Sequence, residues 1–275
     1  MNKILKRTLL SSLVVPFALG AQLASAGTLV TTWDYAVNST LFVTGETDGT
    51  GTVSGSGGNL LSWGVGDGDK SSVGITDVAK TGPLVTNLPP LAGFVDGGVF
   101  THTNNILPAE GRALSSFDLM SDLTLTPTNP VGPDLGPFTT TFESFFIETG
   151  NGAPCVTGAG SVCDDIFTIA NFDDLGAVDN GDGTFDFKSS FLYDDYKYTV
   201  FLQVEGLTTL LDDACTEAGA DPGCVGLLTL ENNENEFQTR FRIEGVAVPE
   251  PGTLALLGMG LAGLGLSRRR KAAKS

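Results

Sequence analysis

Between Phe138 and Glu148, every second residue (Phe138, Thr140, Phe142, Ser144, Phe146) projects from one side of an extended backbone. A helix would scatter these side chains around its circumference, whereas a strand collects them on one face. The same period of two runs through Phe185, Phe187, Ser189, Phe191 and Tyr193, continuing past Tyr198 to Val204, and through Phe117, Leu119, Ser121, Leu123 and Leu125. Shorter alternating runs predict an opening hairpin at 29–37 and 40–44 and further strands at 60–65, 98–107 and 165–171. A last pair, 227–231 and 236–246, is joined by a polar turn at 232–235. Residues 66–98, with the breaker Asn87-Leu88-Pro89-Pro90, and residues 126–137, with four prolines, read mainly as loops. About nine to twelve strands with little helix and no internal repeat predict an all-β chain, a β-sandwich or jelly-roll-like body rather than a propeller.

The two ends break this pattern. Lys3, Lys6 and Arg7 precede a mostly apolar stretch from Leu9 to Leu23, and Ala24-Ser25-Ala26 offers small residues at the positions a signal peptidase accepts. Residues 1–26 therefore read as a secretory signal peptide, with Gly27 as the mature N-terminus. At the other end, Pro249-Glu250-Pro251 is followed by fifteen uncharged residues, 252–266, and then a basic tail, 267–275, holding Arg268-Arg269-Arg270-Lys271. As a helix the uncharged stretch spans about 22 Å against a bilayer core of about 30 Å, so it is a short transmembrane segment that thins the bilayer or recruits residues from 246 onward. The basic tail belongs on the cytoplasmic side, which places residues 27–245 outside the membrane as the ectodomain.

All 32 acidic residues lie in 27–251, against seven basic ones, a charge of −25 over about 225 residues. Such a surface repels phosphate backbones, which argues against nucleic acid as a partner, and it favours solubility and divalent cations. Cys155 and Cys163 are separated by seven residues, and Cys215 and Cys224 by eight. In an oxidising exported compartment, 155–163 and 215–224 is the simplest of three connectivities, each disulfide worth roughly 2–3 kcal/mol of loop-closure entropy.

The C-terminal triad of features, Pro249-Glu250-Pro251, the Gly-rich apolar stretch and the Arg-rich tail, resembles the PEP-CTERM sorting signal of exopolysaccharide-producing Gram-negative bacteria, here residues 246–275. That resemblance implies an exosortase as processing partner, transient anchoring in the inner membrane, removal of the tail, and a destination at the cell surface or in the extracellular matrix. Within the body, Trp63-Gly64, Thr101-His102-Thr103-Asn104-Asn105, Phe146-Ile147-Glu148-Thr149 and Cys155…Cys163-Asp164-Asp165 are similar to the THxN family of such proteins. Thr101, His102 and Asn104 map onto the motif that names the family, which carries no activity over to this chain. Gly150-Asn151-Gly152 departs from the expected pattern, which has a proline nearer Thr149.

No catalytic residue is assigned. His102 is the one histidine, and without a Gly-x-Ser-x-Gly elbow a triad has no nucleophile, so His102 reads as a hydrogen-bonding structural residue. Asp179, Asp182 and Asp186 on Asp179-Asn180-Gly181-Asp182-Gly183-Thr184-Phe185-Asp186 form the calcium candidate. An Asp-Gly hairpin turn is the alternative reading of that segment. Glu143 and Glu148 lie on opposite faces of one strand and make no glycosidase pair. The expected function is a structural or adhesive surface protein linked to exopolysaccharide and not an enzyme. The alternatives are a carbohydrate-binding module stacking sugars on Trp33, Trp63 or tyrosines, and, behind it, a polysaccharide hydrolase.

Overall fold

A computed structural model describes residues 27–66, 68, 70–150, 163–181, 184–248, 252 and 258–261. Its strands are β1 (Thr32–Glu46), β2 (Leu60–Trp63), β3 (Ser71–Ile75), β4 (Val78–Val85), β5 (Val95–Asn104), β6 (Leu114–Asn129), β7 (Leu135–Ile147) and β8 (Asp165–Ile169). They continue as β9 (Val178–Asp179), β10 (Phe185–Tyr193), β11 (Tyr196–Val204), β12 (Thr208–Thr209), β13 (Val225–Thr229) and β14 (Asn233–Ala247). Two short helices, α1 (Pro90–Gly93) and α2 (Asp212–Glu217), interrupt them. The strands form two seven-stranded sheets, β12-β13-β8-β7-β6-β1-β4 and β2-β3-β5-β14-β11-β10-β9. The strand pairings within both sheets are antiparallel, so the molecule is an all-β sandwich.

The alternation in the sequence becomes alternation of burial. In β1, Trp33, Tyr35, Val37, Ser39 and Leu41 face inward in turn, and in β5 Gly98, Phe100, His102 and Asn104 do the same. Two large apolar clusters result along the length of the sandwich. One gathers Trp63, Phe100, Phe117, Phe142, Phe146, Phe167 and Phe187. The other gathers Trp33, Tyr35, Tyr198, Phe241 and Ile243. A smaller one seats Ala214 and Cys215 of α2 against Ile166 and Leu210, and the Cys215–Cys224 disulfide ties α2 to the start of β13. Cys163 is also disulfide-bonded, while Cys155 lies outside the described residues.

Several expectations need correction. The opening hairpin is one continuous strand, because β1 pairs with β6 straight through Asn38↔Asp122 and Ser39↔Ser121. A long partner there overrides local turn propensity. Residues 66–98 hold β3, β4 and α1 rather than mainly loops, and β6 runs to Asn129. The stretch 183–204 is a hairpin that turns at Asp194 and Asp195, both with positive φ. The expected last pair is no pair: β13 bonds β8 and β12 in one sheet, and β14 bonds β5 and β11 in the other. The polar segment between them crosses from sheet to sheet.

Both ends of the ectodomain meet at the β10–β11 turn. Gly27 N donates to Asp195 Oδ2 at 3.0 Å and Thr28 N to Asp194 Oδ2 at 2.9 Å. Val248 N donates to the Asp195 carbonyl at 2.8 Å. The expected signal peptide, 1–26, lies outside the described residues, as do Pro249, Glu250, Pro251 and residues 253–257 and 262–266. Among the described residues, no helix is long and apolar enough to cross a membrane.

Candidate functional site

The inward rhythm of β5 sends His102 and Asn104 into the sandwich and leaves Thr101 and Thr103 on the opposite, half-buried face. Next to them, β3 sets Val73 opposite His102, and Trp63 ends β2 with its ring stacked on the imidazole at 5.8 Å and 18°. From the facing sheet, Phe146 of β7 and Phe167 of β8 meet the imidazole edge-on at 5.4 and 4.9 Å. His102, Asn104, Trp63, Asp165 and Thr229 are all fully buried. The His102 side chain therefore sits among three aromatic rings.

Polar contacts close around this stack. Thr229 pairs with Asp165 across β13 and β8, and its hydroxyl donates to the Asp165 carbonyl at 3.3 Å. That hydroxyl also lies 2.9 Å from His102 Nδ1, so one ring nitrogen is engaged and Nε2 is left without a hydrogen-bond partner. Asn104 Nδ2 donates to the Thr229 carbonyl at 3.4 Å. Trp63 Nε1 donates to Glu148 Oε2 at 2.8 Å, and Thr149 N donates to Asp165 Oδ1 at 2.7 Å. The Thr149 hydroxyl donates to the Cys163 carbonyl at 2.6 Å, which pins the end of β7 to the entry of β8.

Glu148, Asp165 and Glu231 bring one carboxylate oxygen each within 4.8 Å of one another. Glu148 and Glu231 are half-buried and Asp165 is sealed beneath them, so the cluster opens to solvent on one side. Burial pushes the Glu148 carboxyl up to about 7, against the Trp63 hydrogen bond and with help from the Glu231 charge. Asp165 rises further, to about 9, through burial first and the Glu148 charge second. Glu231 is raised as well, chiefly by burial. Burial drives His102 down to about 3, so the imidazole is neutral at physiological pH. Three negative charges this close repel strongly in a site of low dielectric, and the cluster is relieved by protons or by a cation.

The calcium candidate takes the form of a hairpin turn. Asn180 N bonds the Thr184 carbonyl, and β9 pairs with β10 through Phe185↔Asp179 and Asp186↔Val178. Asp179 Oδ1 accepts from Gly181 N at 2.7 Å, while Asp186 is buried and accepts from Gln203 Nε2 at 2.5 Å and Asn180 Nδ2 at 3.2 Å. Arg242 Nη2 stands 3.6 Å from Asp186. Asp182 lies outside the described residues. Trp33 and Trp63, expected as sugar-stacking platforms, are wholly enclosed and cannot stack on a sugar ring. A separate apolar cavity of about 360 Å³ lies between the sheets, walled by Phe117, Leu119, Phe142, Phe187, Leu202 and Leu227, and neither His102 nor Asn104 lines it.

The motif residues of the sequence thus converge: Trp63, His102, Asn104, Glu148, Thr149 and Asp165 occupy one corner of the sandwich. Glu231 and Thr229 complete the group and carry no local signature; only the β13–β8 register brings them in. Glu143, by contrast, sits exposed in mid-strand opposite Asp118.

The fold and this corner define an all-β sandwich with an acid–imidazole–indole cluster whose imidazole and indole are buried and whose acids Glu148 and Glu231 reach the surface. Residues 247–271, which begin at Ala247, the last residue of β14, match the family model described as the PEP-CTERM protein-sorting motif. A motif of this kind implies an exported, membrane-transiting surface protein processed by an exosortase. No protein of curated function and no solved structure matches the chain.

Proposed function

We propose that this chain is an exosortase-processed surface or extracellular-matrix protein of the THxN kind, with a structural or adhesive role linked to exopolysaccharide and no catalytic activity of its own. The observation that carries the reading is the sorting motif joined to the end of β14. In this reading a signal peptidase cleaves after Ala26, and residues 252–266 hold the chain in the inner membrane of a Gram-negative cell until the tail is removed. The position of Gly27 supports the first cut: its nitrogen already faces Asp195, so a freed ammonium gains a carboxylate partner there. The non-enzymatic role draws support from His102, whose ring is enclosed by Trp63, Phe146 and Phe167. A structural role also suits a body of high negative charge whose two tryptophans are spent on its interior.

Intact mass of the protein from its native host tests the processing. The expected species begins at Gly27, lacks the basic tail, and has lost the four hydrogens that two disulfides remove. In an exosortase-deficient strain the tail is retained. A full-length cytosolic chain with free thiols would overturn the reading. For the role itself, deleting the gene is expected to weaken matrix cohesion or attachment, and an unchanged matrix argues against it.

A further inference from the structure

Charge repulsion alone does not make an ion site, but the surroundings of this cluster add a second observation. Asp165 is completely buried, yet its Oδ2 has no hydrogen-bond partner. His102 Nε2, also completely buried and unpartnered, faces that oxygen from 3.9 Å, too far to share a proton with it. Glu148 Oε1 is a third buried polar atom without a partner. Buried polar atoms are nearly always paired, so two unpartnered carboxylate oxygens beside an unpartnered imidazole nitrogen in one corner mark the place of something positive.

We propose that Glu148, Asp165 and Glu231 form a divalent-cation site of the calcium class. The ligands are hard oxygens and come from three separate stretches: the end of β7, the first residue of β8 and the crossover after β13. A cation there ties the ends of β7 and β8, neighbours in one sheet, to the start of the crossover that leads to β14 in the other. Calcium fits better than magnesium, because three carboxylates supplied by separate chain segments suit a large, flexible shell rather than a tight octahedron. The indole hydrogen bond from Trp63 fixes Glu148 from outside, and Thr149 N fixes the other oxygen of Asp165. Both leave one carboxylate oxygen free to bind. The site is distinct from the Asp179–Asp186 hairpin.

The test is calorimetric titration of calcium chloride into the chelator-treated full chain at neutral pH. One calcium per chain is expected, with release of protons and a Tm rise of about 5–10 °C at a hundredfold excess over Kd. Asp165→Asn and Glu231→Gln should each weaken binding at least tenfold; the second, at the half-buried rim, preserves the fold if the first does not. Asp179→Asn should leave the affinity unchanged. Terbium in place of calcium should luminesce on tryptophan excitation, and Trp63→Phe should abolish that emission while calcium still binds. No heat and no Tm shift up to about 10 mM calcium, beyond the range of weak extracellular modules, would overturn the proposal. So would binding that survives Glu231→Gln or disappears in Asp179→Asn.

Discussion

Arg242→Met tests how a strongly acidic body tolerates a buried carboxylate. Arg242 is the only buried Lys or Arg among the described residues; its side chain is 9 % exposed and that of its partner Asp186 is 7 % exposed. The guanidinium lies over the Phe201 ring at 3.8 Å and also bonds Glu244. Removing one member of a buried pair leaves an uncompensated charge, which costs about 3–5 kcal/mol. The 3.6 Å separation and the remaining Gln203 and Asn180 donors to Asp186 place this case at the lower end, about 3 kcal/mol. For a body of this size that is a Tm loss of about 6–12 °C. Asp186→Asn added to Arg242→Met keeps an acceptor for Gln203 while deleting the stranded charge, and should recover about half of the loss. Urea unfolding followed by tryptophan fluorescence reads both, because Trp33 and Trp63 are fully buried. A single variant within about 1 kcal/mol of the parent, or a double variant no better than the single, refutes the reasoning.

Two more expectations concern packing and pH. Gly226→Ala would put a Cβ 1.9 Å from the Phe167 carbonyl oxygen and 2.9 Å from Leu210 Cδ1, so the same assay should show a loss of about 3 kcal/mol. In chelator, Glu148 (up to about 7) and Asp165 (up to about 9) bind protons more tightly folded than unfolded. Their stabilisation is complete below about pH 4 and is lost as pH climbs through those values. His102, down to about 3, acts the other way: its contribution is complete above its usual 6.5 and is lost as pH falls towards 3. Two carboxyls outweigh one imidazole, so metal-free stability should rise on acidification from about pH 8.5 to 5. Asp165→Asn should flatten that slope, and a decline over the same interval contradicts it.

Period-two patterning made the class of fold legible, because each long strand buries one face and wets the other. What it could not show is pairing. Asn38-Ser39 looks like a turn in isolation, yet it is held straight by Asp122 and Ser121 on β6. The short polar link after Thr229 looks like a hairpin, yet Leu227 pairs with Phe167 in one sheet and Phe237 with Phe100 in the other. The site was half legible for the same reason. His102 and Asn104 share the parity of Phe100, so their inward direction follows from the strand alone. Glu231 is one acid among many until the register of β13 against β8 places it beside Asp165.

The meeting of both chain ends at Asp194 and Asp195 gives the molecule an upright posture. β14 runs its fifteen residues away from that point, roughly 45–50 Å at strand rise, to the corner where Glu231 sits. Whatever surface holds the residues beyond Val248 grips one tip, and the acid cluster is carried to the other. A pull between the tips is directed along the strand axes, so the ladders from β14 to β5 and β11 resist in shear, many bonds together, rather than unzipping one by one.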